Sequence, residues 1–376
     1  MGQVKLHIVI TGLYIGRGAF GGVVNFTRDL MKNINRDAFN CDYFSYGKSP
    51  KWCKNDIHAT LFTYLLDLFI AVFSFPYLIR RKKITIVHIN TGLTAFSLIR
   101  DGVFSILAKL MGCKVLFMIH GWKENEYKKL IDNPLKRKAI IKLLKNQNII
   151  GVGSKENKNK LVELGLVENK VFLFTNMVET DEFTNSKKTN GTIVKILFCA
   201  HPVRKEKGIN EFLESIPIII NQYPDCKFIV LGGGKYLNEF INKAIELDII
   251  NRIQFTGFVS KSDKIGIFKK CHILVFPSYT EGFPKTVLES MAAGMAIVTT
   301  PVGGLANAIE PEKNGLFIKS MPPKPEEIAS HVHKILNDTK YFYNMMQKNK
   351  NDAIEKYEAK LVVEKIEKRY FEIFYS

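Results

Sequence analysis

A chain of 376 residues exceeds one ordinary hydrophobic core, so two domains are the default expectation. Its 46% hydrophobic and 24% charged residues are the proportions of a soluble globular protein. The formal net charge of +18 is uneven: residues 1–180 hold 27 Lys and Arg against 13 Asp and Glu, and the remainder hold 27 against 23. That asymmetry points the first half at something anionic, and the absence of any recognised nucleic-acid module or basic-aromatic motif argues against nucleic acid.

The opening "MGQVKLHIVI" runs straight into a strand expected over 5–10, which argues against a signal peptide. Gly2 suits a myristoylation signal, but Leu6 stands where Ser or Thr is needed. "GRGAFG" (16–21) matches G-x-G-x-x-G, yet its first Gly follows the strand by six residues and Asp42 sits near the start of the next strand. A glycine-rich loop that admits a phosphate is the reading it supports. Further strands are expected over 41–46, 84–90, 114–120, 148–153 and 171–174. The apolar region 61–83 contains Asp67 and Pro76, and its uninterrupted runs fall short of the ~20 residues a membrane span requires. It reads as a partly buried helix or a helix touching a membrane. Residues 128–145, "KKLIDNPLKRKAIIKLLK", place base on an amphipathic helix, which suits an acidic bilayer or a solvated face. Leu135, Ile140, Ile141, Leu143 and Leu144 are its candidates for shallow insertion.

The polar stretch 178–192 has the composition of a linker. Beyond it the rhythm repeats, with strands expected over 193–200, 226–232, 253–257, 272–278, 296–300 and 316–319 and a helical tail from about Tyr341. Apolar strands alternating with helices predict an α/β fold of two doubly wound parallel sheets that bind ligands at their carboxyl ends. "VLGGGKY" (230–236) lacks the P-loop spacing and has Tyr236 where a hydroxyl ligand belongs. The six cysteines show no metal spacing, and several lie in apolar runs, as reduced core thiols of a cytoplasmic protein would.

Residues 277–304, "PSYTEGFPKTVLESMAAGMAIVTTPVGG", set Glu281 just before a helix start and Glu289 inside the helix. Pro284 suits the first turn, and Gly294 the position after the end. Leu288, Met291, Ala292 and Met295 make one apolar face, with Glu289 about 100° away on its flank. The amides from Phe283 to Val287 lack intrahelical acceptors and carry the positive end of the dipole, a ready phosphate site. Alone, the stretch reads as a dipole partner and a solvated flank residue.

With its neighbours it reads differently. Glu281 and Glu289 in that frame, "NGLFI" (314–318), "NMVETDEF" (176–183), "VRKEKGINEFLESI" (203–216), "FTGFV" (255–259) and "AFGGVVNF" (19–26) together resemble the retaining nucleotide-sugar glycosyltransferases of the GT-B fold, specifically family 4 (group 1). The resemblance implies two Rossmann-like domains facing a cleft: 1–178 on the acceptor side, 179–355 on the donor side, and a helix 356–376 packing back on the first. It implies that Glu289 holds the ribose and Glu281 the hydroxyls of the donor sugar. Arg204 and Lys207, with the amides of Gly282, Phe283, Pro284, Lys285, Thr286 and Val287 as the anion-binding helix start, would meet the leaving diphosphate. Phe258 and Val259 would lie beside the base, Gly21 and Gly22 near the phosphates, and His120 near the donor sugar. The family's basic loop carries its Arg two residues earlier, where Pro202 stands here, so the role either falls to Arg204 or is displaced and left to Lys207.

The expected function is transfer of a hexosyl or N-acetylhexosaminyl group with retention from a UDP- or GDP-linked sugar to a lipid-linked or polysaccharide acceptor. The expected setting is cell-surface polysaccharide assembly at the inner face of the cytoplasmic membrane. No metal and no cofactor beyond the donor substrate are expected. A sugar-nucleotide epimerase of related fold, a non-catalytic sugar-nucleotide-binding protein and a dehydrogenase are the alternatives. An acceptor-independent product would reveal the first and a nicotinamide absorbance change the last, while the intact set of donor contacts argues against the second.

Overall fold

The computed structural model describes residues 5–12, 15, 21–46, 57–122, 124–183 and 193–376, with the backbone alone over 57–64. Most of the glycine-rich loop 16–21 and residues 184–192 of the polar linker therefore lie outside the described residues. The chain divides into two units, one of Met1–Thr175 with Ala359–Ser376 and one of Asn176–Glu358.

In the first unit six parallel strands lie in the order β2 (Phe39–Ser45), β1 (Leu6–Gly12), β3 (Ile86–Gly92), β4 (Lys114–Gly121), β5 (Ile149–Val152) and β6 (Val171–Leu173). Strands such as β3 are buried along nearly their whole length, polar His88, Asn90 and Thr91 included, because helices cover both faces. Those helices are α1 (Gly22–Asn33), α2 (Ile57–Lys82), α3 (Ala95–Leu110), α4 (Glu124–Ile131), α5 (Pro134–Lys145) and α6 (Lys155–Glu163). The order of strands reverses between β1 and β3. Asn133 caps α5, its side-chain oxygen accepting from the Lys136 amide at 3.0 Å. One expectation fails here. Of the five α5 residues expected to insert into a membrane, Ile140 and Leu144 are buried in the core instead, Ile141 and Leu143 are half-buried, and only Leu135 is exposed. Among the described residues no helix is long and apolar enough to cross a membrane.

The second unit carries six parallel strands in the order β12, β11, β10, β7, β8, β9, with β7 (Lys195–Cys199), β8 (Lys227–Leu231), β9 (Ile253–Gly257), β10 (Ile273–Phe276), β11 (Ala296–Thr299) and β12 (Leu316–Phe317). Its helices are α7 (Ile209–Gln222), α8 (Leu237–Glu246), α9 (Lys261–Lys270), α10 (Lys285–Ala292), α11 (Leu305–Ala308), α12 (Pro325–Asn337) and α13 (Thr339–Tyr357). Here the order reverses between β7 and β10, and ligands of such sheets bind outside the carboxyl ends at that point. The "NGLFI" asparagine is structural. Buried Asn314 accepts from the Glu310 amide at 2.7 Å and donates to Ala308 O and to Asp352 of α13, at 3.2 and 3.0 Å.

The tail expected as one helix is two. Glu358 adopts an extended conformation and bridges to Val178 within the second unit, while its carboxylate accepts from the Thr180 amide at 3.0 Å. The helix after it, α14 (Ala359–Tyr375), belongs to the first unit. There the Tyr370 hydroxyl lies 2.6 Å from His88 Nδ1 of β3, and Glu367 Oε1 accepts from the Asn35 amide at 2.6 Å.

Candidate active site

The loops after β7 and β10 leave the sheet at its reversal and are bound backbone to backbone. Gly208 has φ +76°, and a Cβ there would stand 2.1 Å from the Pro277 carbonyl oxygen, so only glycine permits this approach. The Glu206 carbonyl accepts from the Tyr279 amide at 3.0 Å and from the Ser278 hydroxyl at 3.3 Å. A second clamp comes from "PVGG". Gly303, at φ +57°, would put a Cβ 2.2 Å from Glu281 O, and the Gly304 amide donates to Gly282 O at 2.6 Å. Three loops are thereby locked around one carboxylate.

That carboxylate is Glu281, whose side chain is only 10% exposed. Its Oε1 accepts from Lys207 Nζ at 2.6 Å and from the Ser278 hydroxyl at 2.8 Å. A low-dielectric pocket strengthens such a contact, although Lys207 retains partial access to water. Pro284 caps α10 from just outside it, so the helix begins at Lys285, and Gly282 and Phe283 belong to the loop rather than to a first turn. The amides of the first turn, Lys285 to Val287, lie at the positive end of the helix dipole, and that of Val287 already donates to Pro284 O at 3.2 Å.

Glu289 is not a solvated flank residue. It is 7% exposed, and Lys264 Nζ of α9 lies 2.6 Å from its Oε2. Lys264 was not among the residues singled out from the sequence, because a lysine of "SKSDKIG" carries no local sign of a partner in another helix. Burial and the nearby Lys264 charge together lower the pKa of His201 after β7, whose ring meets exposed Phe258 edge-on at 4.7 Å. Val259 follows Phe258 on the loop leading to α9 and packs against the apolar core. Arg204 is exposed and caps the short 3-10 turn that carries Lys207, and no ion pair is found for it among the described residues.

His120 belongs to the first unit, at the end of β4. Its ring lies between Phe26 and Phe174, at centroid distances of 4.6 and 4.8 Å, and burial holds its pKa down to about 3. The Thr27 hydroxyl donates to Val23 O at 2.8 Å and accepts from Asn90 Nδ2 at 3.2 Å. Asn90 Oδ1 then accepts from His120 Nε2–H at 2.6 Å. This chain assigns the tautomer and leaves Nδ1 of the neutral ring as an acceptor. Gly21 and Gly22 open α1 in the same unit, with open space where a Cβ would be.

A family model described as "Glycosyl transferases group 1" matches residues 179–355, and one described as "Glycosyltransferase Family 4" matches 20–182. The chain belongs to the group 1 glycosyltransferases of family 4. It is 30% identical over 164 residues to N,N'-diacetylbacillosaminyl-diphospho-undecaprenol alpha-1,3-N-acetylgalactosaminyltransferase of Campylobacter jejuni, a match covering 44% of this chain and 41% of that one. To the O-antigen biosynthesis glycosyltransferase WbnH of Escherichia coli it is 22% identical over 335 residues, covering 87% and 90%. The chain spans about half the length of several other curated relatives it matches. The crystal structure of Anabaena HepE in complex with UDP-glucose superposes with a TM-score of 0.73 at 14% identity, covering 98% of this chain and 100% of that one. The architecture of this group 1 family member is the α/β GT-B fold.

Proposed function

We propose that this protein transfers a sugar, with retention, from a nucleotide diphospho-sugar to a lipid-linked acceptor at an anionic membrane face, in assembly of a cell-surface polysaccharide. The observation that carries the reading is the pair of buried carboxylates, Glu281 and Glu289, each holding a lysine at the reversal edge of the second sheet beside the amide end of α10. In this proposal Glu289 takes the ribose hydroxyls and Glu281 those of the sugar, since a carboxylate accepts several hydroxyl bonds at once. Lys207 and the α10 amides stabilise the charge that grows on the departing diphosphate. Arg204, free to reach inward, adds to them. Phe258 and Val259 flank the base, and His120 offers Nδ1 to a substrate hydroxyl. The donor is UDP- or GDP-linked, and UDP-glucose in the HepE structure supports a donor of that class. The Campylobacter relative, named for a diphospho-undecaprenol acceptor, supports a lipid-linked one.

The test is a thermal-shift screen of nucleotide sugars, followed by product analysis with the stabilising donor and lipid-phosphate acceptors. A ligand of the native state raises apparent stability by mass action. A glycosylated lipid with the donor's anomeric configuration is expected. Release of an isomerised sugar nucleotide without any acceptor would replace transfer by epimerisation.

A further inference from the structure

Helices α2 and α3 of the first unit are apolar on two sides, and only one of those sides is used by the core. On α3 the inner set Leu98, Phe104 and Ala108 is buried. The outer set, Phe96, Ile99, Val103, Ile106 and Leu110, recurs every three to four residues and is between 39% and 78% exposed. On α2, which packs beside α3, Ala71, Phe75 and Ile79 are buried while Leu66, Phe69, Ile70, Phe73 and Tyr77 are between 44% and 65% exposed. Scattered surface apolar residues need no explanation, whereas two adjoining stripes on neighbouring helices mark an interaction face. On its other flank α3 borders a groove of about 320 Å³, lined by Leu98, Ile99, Ile106, Ile140 and Leu143, with Lys136 at its edge.

The surroundings of this face are cationic. Lys136, Arg137, Lys138, Lys142 and Lys145 of α5 are exposed, Arg80, Arg81 and Lys82 close α2 with Lys83 just after it, and of these Lys82 lies 3.7 Å from Asp42. A two-fold pairing of this face with a second copy would bring like charges together. Neither α2 nor α3 is long and apolar enough to cross a membrane. Apolar stripes edged by base, on helices too short or too polar to span, have the chemistry of a surface that lies in the headgroup layer of an anionic bilayer.

We infer that the outer faces of α2 and α3 form a membrane-docking surface, with the basic side chains of α5 and the end of α2 against lipid phosphates and the α3–α5 groove taking one lipid hydrocarbon chain. The inference rests on the proposed lipid-linked acceptor for its purpose, since docking would hold the first unit where such an acceptor is dissolved. The inserting residues are those of α2 and α3, and α5 supplies charge.

Vesicles of phosphatidylcholine with phosphatidylglycerol, and of phosphatidylcholine alone, test it by co-sedimentation. Wild type is expected to bind the anionic vesicles and to release as the Debye length shrinks from ~10 Å at 0.1 M salt to ~3 Å at 1 M. Ile99→Asp with Ile106→Asp should weaken binding at least about ten-fold, a loss in keeping with placing charges in an apolar interface. Lys136→Glu, Lys138→Glu and Lys142→Glu together should remove the salt dependence. In Phe96→Trp the added indole should shift its emission to the blue on anionic vesicles. Unchanged melting temperatures, read by thermal unfolding, separate lost docking from lost fold. Variants that bind as wild type does, or a wild type that binds neither vesicle, overturn the inference. So does a dimeric wild type that Ile99→Asp with Ile106→Asp makes monomeric without altering vesicle binding. Failure of nucleotide sugars to stabilise the wild type would count against the transferase reading alone, because vesicle binding is read without them.

Discussion

Glu289 and Lys264 show what a single buried contact commits the molecule to. A carboxylate 7% exposed needs its counter-charge, so Lys264→Met leaves an uncompensated group and should lower stability by about 1–3 kcal/mol, less than for a fully dry pair because Lys264 retains some solvent. Urea unfolding of Lys264→Met, Glu289→Gln and the double variant checks this, and a double variant no less stable than Lys264→Met would show the pair to be the cause. In the proposed site, Glu289→Gln should also weaken nucleotide binding by about 1.5–3 kcal/mol, as for a lost charge-assisted hydrogen bond. Titration calorimetry with the stabilising nucleotide measures it, and unchanged affinity would take the ribose away from Glu289. His120 illustrates indirect control. Asn90→Leu removes the acceptor that fixes the Nε2–H tautomer, so the proposed role predicts a drop in kcat/KM in Asn90→Leu that Asn90→Gln partly restores. Equal activity in both variants would leave the Thr27–Asn90–His120 chain a packing device.

The strands were legible because a parallel sheet covered on both faces is built mostly from short apolar runs, and each of the twelve expected runs overlaps a strand. Gly208 and Gly303 lie inside stretches that carried the family resemblance, but neither stood out from the sequence. Gly208 and Gly303 are needed because carbonyl oxygens of Pro277 and Glu281 stand 2.1 and 2.2 Å from where a Cβ would go, a contact between segments far apart in the chain. Gly208→Ala and Gly303→Ala should therefore both disturb the loops that hold Lys207 against Glu281, lowering melting temperature and nucleotide response together. Gly266, inside α9 with nothing within 4 Å, is the contrast: Ala there should stabilise by roughly 0.5–1 kcal/mol through helix propensity. A clash-free Gly208→Ala with wild-type melting would show that the loops can part without cost. What stayed illegible was facing. The periodicity of α5 allowed an insertion stripe, whereas the core of the first unit claimed Ile140 and Leu144. Similarly, nothing local marked Glu358 as the break between α13 and α14, because its extended backbone is held by Val178 and Thr180, 180 and 178 residues away. Lys264 was missed for the same reason.

At the scale of the whole molecule, the buried histidines tie stability to pH. His88 is fully buried on β3 with Nδ1 against the Tyr370 hydroxyl, and burial pushes its pKa down from 6.5 to about 3. Tyr370 is itself held well above its ordinary value by burial, so its hydroxyl stays protonated and can donate to the neutral imidazole. In the unfolded chain the same imidazole takes up a proton below its ordinary pKa of about 6.5. Between about pH 6.5 and 3 the unfolded state therefore binds more protons than the native one, and stability falls as pH falls through that window. Above pH 7 both states are neutral at this residue and it contributes no slope. One such histidine gives at most about 1.4 kcal/mol per pH unit. His120, held down to about 3 by burial in the same unit, acts in the same direction. The carboxylates whose pKa values are lowered by paired lysines, Asp352 and Glu310 among them, lose their contribution only as pH falls through the acid range below about 4.5. From pH 5 to 6.5 the buried histidines therefore lower stability as acid is added, while Glu367, whose carboxyl burial pushes above its ordinary value, acts in the opposite sense. Chemical unfolding of the wild type across that interval should show stability declining with acid, and His88→Gln should flatten the decline even if it lowers stability at pH 7. A slope unchanged in His88→Gln would mean that the imidazole binds protons equally in the native and unfolded states, and would take His88 out of the pH dependence.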